Sequence, residues 1–165
     1  MKDKAKFGGV FHVDCYDRDG NFKWSNETPN IVVNVGLQHI LDVIFSGSTA
    51  SYPWYVGLIG DTTTVAAGDS LGAHTGWTEF TAYNTATRQA WVEVRSAQSM
   101  TNTASKASFT LNADTQTIGG AFLSDTDSGT VGNLMSAAAF TGGDKTGDSA
   151  DVLEVTYVFS AADDA

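Results

Sequence analysis

One serine lies in a short string whose pattern could support nucleophilic chemistry. The segment 68–72, GDSLG, fits the pattern G-x-S-x-G, in which Ser70 would attack an acyl group. Such a serine needs a histidine as its base, an acid that orients the histidine, and a strand-to-helix turn that exposes its oxygen. No histidine follows His74, and the string lies in a segment rich in Thr and Ala without a buried strand before it. We therefore predict that the chain is not an enzyme and has no catalytic residues.

Acidic side chains provide the residue types of a metal site but not its spacing. In the segment 17–21, DRDGN, an EF-hand register with Gly20 at the sixth position would place Cys15 first and Asn26 twelfth, where carboxylates are required. A hairpin turn is the better interpretation. Four aspartates in other predicted loops leave a weak ion site open, namely Asp125, Asp127, Asp144 and Asp148. The histidines show no metal-ligand spacing, at His12, His39 and His74. We predict no metal and no cofactor.

Four tryptophans could form either a sugar-stacking surface or part of the core: Trp24, Trp54, Trp77 and Trp91. Each is embedded in an apolar, strand-like segment, so burial in the core is the favoured interpretation. A carbohydrate-binding surface would require the rings to be exposed and coplanar beside a groove.

A basic segment begins this acidic chain. Three of the nine Lys and Arg residues lie within the first six positions, at Lys2, Lys4 and Lys6. A solvated chain end is the common case. The alternative is an arm that docks on an acidic partner surface, with the neighbouring Phe7 adding apolar contact. These four residues are the candidate contact residues.

The composition limits the fold and the partners. The chain has 165 residues and a mass of 17.4 kDa, enough for one domain with a core. A net charge of −10 argues against binding to nucleic acid or to an anionic membrane. No apolar run approaches the roughly 20 residues that span a bilayer, and Met1 to Val13 lacks the apolar core of a signal peptide.

The single cysteine, Cys15, excludes an internal disulfide. Two prolines, 17 glycines and abundant Thr and Ser favour strands joined by turns.

Periodicity predicts a hairpin followed by one helix. Apolar side chains alternate over 11–16, the turn 17–21 follows, and Phe22 and Trp24 share a face of the return strand. Over about 34–46 the spacing becomes helical, with Asn34 as N-cap and Gly47 as a left-handed end. One apolar stripe, predicted to pack on a sheet, contains Leu37, Ile40, Leu41, Ile44 and Phe45.

Beyond the helix the pattern indicates strands. They are predicted over 54–59, 77–83, 90–94, 106–111, 117–123, 134–140 and 152–159. The alanines of 134–140 make that segment ambiguous. We expect a mainly β protein, an antiparallel β-sandwich with one amphipathic helix packed on it. Residues 1–165 would form a single domain with a short basic N-terminal arm (1–6) and an acidic C-terminal end (161–165).

Four strings, taken in order, resemble a group of small structural proteins of tailed bacteriophages: GVFHVDCYDRDGNFKW, NIVVNVGLQHILDVIFSG, WYVGLIG and HTGWTEFTAYNTATRQAW. The resemblance extends from about Gly9 to Phe159. Proteins of this group usually carry no enzymatic assignment. The resemblance implies a virion structural protein, and foremost a capsid cement (decoration) protein that binds the outer surface of the major capsid protein lattice and stabilises the head.

The resemblance also sets expectations for partners and location. The partner would be the phage major capsid protein, contacted through Lys2, Lys4, Lys6 and Phe7, with no nucleic acid and no membrane involved. The protein would be made in the host cytoplasm and lie on the capsid exterior of the virion. Monomers, dimers and trimers remain open. The alternative is a carbohydrate-binding module associated with a tail fibre or a baseplate.

Overall fold

The structure is a computed structural model that describes residues 4–62 and 64–163. Within them, antiparallel strands and one helix form the β-sandwich-like fold that the composition predicted. The elements are β1 (Ala5–Tyr16), β2 (Phe22–Pro29), β3 (Ile31–Val32), α1 (Asn34–Phe45), β4 (Tyr55–Thr62), β5 (Trp77–Phe80), β6 (Gln89–Ala90), β7 (Val94–Ser96), β8 (Ser99–Thr101), β9 (Ala107–Thr110), β10 (Gln116–Ile118), β11 (Gly120–Ser124), β12 (Leu134–Ala139), β13 (Lys145–Gly147) and β14 (Val152–Asp163).

The first sheet is built around two long strands that pair over their full length. Its order is β2-β1-β14-β8-β7, and β9 pairs with the N-terminal half of β14. The predicted alternation is confirmed, because Phe11, Val13 and Cys15 are fully buried. The predicted turn is also confirmed: Asp17 Oδ1 accepts hydrogen bonds from the backbone N–H groups of residues 19 and 21, at 2.9 and 2.8 Å. Hydrogen bonds from the side chain and backbone of residue 21 lower the pKa of Asp17.

The second sheet is apolar on both faces. Its order is β3-β12-β11-β4-β5, with β6 also paired to β4, and every residue of β11 is buried. Val56 and Leu58 face the first sheet as part of the main core. Ile59 and Phe122 belong to a second apolar cluster with Leu71 of the segment 64–76. That segment therefore covers the outer face of the sheet.

The helix is present where the sequence predicted it, but its contact with the sheet differs. It ends at Phe45, and Val33, not Asn34, is its N-cap, with no side-chain capping bond. The backbone N–H of Asn34 instead donates to the carbonyl of Ala67 in the covering segment, at 2.8 Å. Gly36 is the one fully buried helical residue, because its Cα lies against the backbone of Met135 in β12.

The predicted burial of the apolar stripe is wrong for the second half of the helix. Ile40 packs against the main core, but three members of the stripe are exposed: Leu41 (52%), Ile44 (61%) and Phe45 (78%). Periodicity identified the apolar face correctly. It did not show that close contact with the sheet is limited to the first turns.

Several strand boundaries also differ from the predictions. The segment 90–94 is divided between β6 and β7, because Trp91 turns inward and its N–H donates to the carbonyl of Trp54. The segment 117–123 is divided between β10 and β11 at Gly119, and β5 ends at Phe80. The ambiguous segment 134–140 contains strand β12. No helix in the described part of the chain is long and apolar enough to cross a membrane.

The thiol of Cys15 is buried in the main core, and this gives a direct test of the first sheet. Burial, and then the negative charge of Asp151, raises the pKa of the thiol to about 12. Because the thiolate is the reactive form, we expect the native protein to react with Ellman's reagent at least about 100-fold more slowly than the protein in guanidinium chloride. The reaction is followed by absorbance at pH 8. Equal rates in the two states would contradict the burial of β1.

Candidate functional site

The polar groups around Ser70 stabilise the segment 64–76, which covers the outer face of the second sheet. Ser70 and Ala73 exchange two backbone hydrogen bonds, at 3.0 and 3.2 Å, in a tight turn. Asp69 is buried, and its Oδ2 accepts a hydrogen bond from Trp77 Nε1 at 2.9 Å. His74 Nδ1 donates to the carbonyl of Trp77 at 2.9 Å, and the two rings stack with centroids 3.7 Å apart. The acid and the histidine are therefore bound to the tryptophan, and neither is hydrogen-bonded to Ser70.

The loop aspartates do not converge on a cation site. Among the described residues, no group of three or more His, Cys, Asp or Glu side chains is placed to hold a metal ion. Asp125 and Asp148 accept hydrogen bonds from backbone amides, and Asp127 accepts one from a serine hydroxyl. Burial, and then a hydrogen bond with Asp61, raises the pKa of Asp144.

Two of the predicted contact residues, Lys6 and Phe7, lie at the beginning of β1. Lys2 lies outside the described residues, Lys4 is exposed, and Lys6 is exposed opposite Ala162 in the ladder between β1 and β14. Phe7 points to the inner face and stacks on Phe159 with centroids 6.2 Å apart. Residues 5–6 and 161–163, expected to be a free arm and a free end, thus form the last pairs of this ladder.

Phe159 also lines a largely apolar pocket that contains four aromatic side chains. This aromatic pocket has a volume of about 240 Å³ and lies between the two sheets. Met100 and Phe159 come from the first sheet, and Leu123 and Met135 from the second. Its complete lining is Ser51, Tyr52, Trp54, Trp91, Glu93, Met100, Leu123, Met135 and Phe159.

Two tryptophans of the aromatic pocket are fixed to each other and to the core. Besides the backbone bond between Trp91 and Trp54, at 2.8 Å, Trp91 Nε1 donates to the carbonyl of Tyr157 at 3.3 Å. Trp54 packs edge-on against His39 of α1, with centroids 5.7 Å apart. The pocket therefore has one rigid wall that is connected to the helix.

Glu93 gives the aromatic pocket its one acidic group. Its Oε2 is buried, yet it has no hydrogen-bond partner within the described residues. A carboxylate oxygen removed from water normally has a donor nearby, since an unsatisfied buried acceptor costs about 1–3 kcal/mol. The pocket thus combines aromatic faces, which carry partial negative charge, with an unpaired anion.

The tryptophan prediction holds in part. Trp77 and Trp91 are buried in the core, whereas Trp24 and Trp54 are only half-buried. Sequence patterns could not show that Trp54 and Trp91 share the aromatic pocket, because they are far apart along the chain.

A second surface feature is the apolar helix face formed by Leu41, Ile44 and Phe45. The helical periodicity predicted that these side chains lie against a sheet. A signal for their exposure is present in the following segment 46–51, SGSTAS, which contains no side chain large enough to cover them. Tyr52, which lines the aromatic pocket, is also exposed.

No protein-family model matches this chain, and no curated protein sequence is significantly similar to it.

Proposed function

We propose that this chain is a non-enzymatic interaction protein, a capsid decoration protein of a tailed bacteriophage that docks on the major capsid protein lattice. The apolar helix face carries the docking part of the proposal. It presents three neighbouring large apolar side chains to solvent, whereas most apolar side chains of the two sheets are buried in the core. Exposed apolar patches of this kind mark surfaces that bind other proteins. The assignment to a tailed bacteriophage is based on the resemblance of the four ordered sequence strings quoted above.

A decoration protein has to hold a lattice together without performing a reaction. A rigid sandwich suits that role, since a preformed surface loses little conformational entropy on docking. Many copies at modest affinity can stabilise a shell because contacts on a repeated lattice reinforce one another. Each copy favours the capsid form that it binds best.

Binding to capsids tests the docking surface. We expect the double variant Ile44→Gln, Phe45→Gln to bind expanded capsids, assembled without this protein, at least about tenfold more weakly than the wild type. The measurement is co-sedimentation over a range of protein concentrations. Glutamine is a good helix former, so the helix is retained, which circular dichroism would confirm.

Two controls make the result specific. Val131 is apolar and 85% exposed at another place on the surface, so Val131→Gln should leave capsid binding unchanged. The variant Lys4→Ala, Lys6→Ala measures the contribution of the basic segment separately. Absence of wild-type co-sedimentation would contradict the capsid role, and equal loss with Val131→Gln would contradict the helix face.

Antibody–gold labelling of virions distinguishes the proposal from its alternative. Dense, regular label over the head is expected for a decoration protein. Label confined to the tail tip would instead support a carbohydrate-binding module of a tail fibre or baseplate. That alternative has less support because Trp77 and Trp91 are buried and do not form an exposed, coplanar platform.

A further inference from the structure

We propose that the aromatic pocket binds an organic ammonium group, with the Glu93 carboxylate as its counter-ion. The site is independent of the capsid role, since it is defined by its own lining and charge. Three features of the pocket point to this ligand: a carboxylate without a cationic partner among the described residues, aromatic walls, and a small volume.

Among the described residues three side chains have a buried oxygen without a hydrogen-bond partner, Asn26, Asn30 and Glu93, and Glu93 is the one carboxylate among them. Other carboxylates that are removed from water have donors: Asp69 accepts from an indole N–H, Asp151 from Lys23 Nζ at 2.6 Å, and Glu79 from a guanidinium at 2.7 Å. Glu93 lines the aromatic pocket and has no cationic partner within the described residues. A cationic N–H or N-alkyl group in the pocket would supply the missing charge.

The walls favour a cation over a neutral or anionic group. Tyr52, Trp54, Trp91 and Phe159 are four aromatic residues around one pocket. The face of an aromatic ring attracts a cation within about 6 Å of its centroid, and most strongly for tryptophan. An anion would be repelled by both the rings and the carboxylate. A neutral apolar group would leave the Glu93 carboxylate without a counter-ion.

The volume limits the ligand to a single small group. About 240 Å³ lies below the range of roughly 300–1,000 Å³ that is typical of pockets for drug-sized molecules. It suits one alkylammonium or trimethylammonium group and excludes a nucleotide or an oligosaccharide. Two kinds of ligand carry such an ammonium group: a free amine and a lysine side chain of a partner protein.

Ligand binding can be measured by tryptophan fluorescence, because Trp54 and Trp91 line the pocket. We expect choline and n-butylammonium, titrated at constant ionic strength, to give a saturable change in tryptophan emission. The neutral carbon isostere of choline, 3,3-dimethylbutan-1-ol, should bind at least about tenfold more weakly.

A second titration uses a short peptide with one trimethyllysine and the same peptide with an unmodified lysine. Binding of free amines indicates a small-molecule ligand, and binding of peptides alone indicates a partner protein. Both outcomes support the site.

Glu93→Gln is the decisive variant. It keeps the shape of the side chain and removes its charge, so it should weaken ammonium binding at least about tenfold. The matched control is Glu27→Gln at an exposed position of β2, which should bind as the wild type does. Without ligand, Glu93→Gln should unfold at no lower temperature than the wild type, because the half-buried carboxylate has no ion pair within the described residues that the substitution would break. No saturable signal with any cation, equal binding of the neutral isostere, or equal binding by Glu93→Gln would overturn the proposal.

Discussion

Replacing Arg88 with methionine is expected to lower the free energy of unfolding by about 3–5 kcal/mol. The Arg88 side chain is 1% exposed. Its Nε and one terminal nitrogen donate to the two oxygens of Glu79, at 2.7 and 2.8 Å. Its remaining N–H groups donate to the carbonyls of Thr126 and Gly129, at 2.9 and 2.7 Å. The substitution therefore leaves the Glu79 carboxylate and the Gly129 carbonyl without this donor, whereas the Thr126 carbonyl keeps the hydroxyl of Ser124. Unfolding in urea, followed by tryptophan fluorescence, measures the change.

Matched variants separate the charge of Arg88 from its geometry. Lysine keeps the charge but cannot reproduce the two parallel bonds to Glu79, so Arg88→Lys should also be clearly destabilised. Arg95 is exposed on β7, and Arg95→Met should change stability by less than about 0.5 kcal/mol. A loss for Arg88→Met no larger than that of Arg95→Met would show that the buried bonds contribute little.

The role of Arg88 shows where local sequence patterns stop being informative. Alternation over 11–16 and over 152–159 predicted β1 and β14 because each strand has one face on the core. Arg88 binds residues 9 to 41 positions away, on a strand and in a loop. No local period encodes such a set of partners.

The two surface features differ in how much the sequence revealed of them. The apolar helix face was visible as a stripe, but periodicity cannot state whether a sheet of the same chain or another protein covers it. The aromatic pocket was not visible, because Trp54, Glu93, Met100 and Phe159 come together only when the two sheets pack. Short strands such as β3 and β13 were missed for a similar reason, since their pairing partners define them.

The contact between Gly57 and Phe122 leads to the second large prediction. The two residues are directly opposed on β4 and β11, and a Cβ built on Gly57 would overlap the ring of Phe122. The ring is fully buried and lies between Trp77, with centroids 5.3 Å apart, and the guanidinium of Arg88, 5.1 Å from the ring centroid. Gly57→Ala in the wild type should therefore lower the free energy of unfolding by about 1–3 kcal/mol or more.

Removing the ring should reverse the sign of this effect. Phe122→Ala alone should lower the free energy of unfolding by about 3–5 kcal/mol, because it leaves a cavity in the second cluster. In that background Gly57→Ala should raise stability, since its methyl group enters the cavity and alanine suits a strand interior better than glycine by about 0.5–1 kcal/mol. Denaturant unfolding of the four proteins gives the coupling energy directly. Gly8→Ala is the control, because a Cβ at this β1 glycine meets nothing within 4 Å, so it should not destabilise the protein. If Gly57→Ala destabilised both backgrounds equally, the ring of Phe122 would not be what excludes a side chain at position 57.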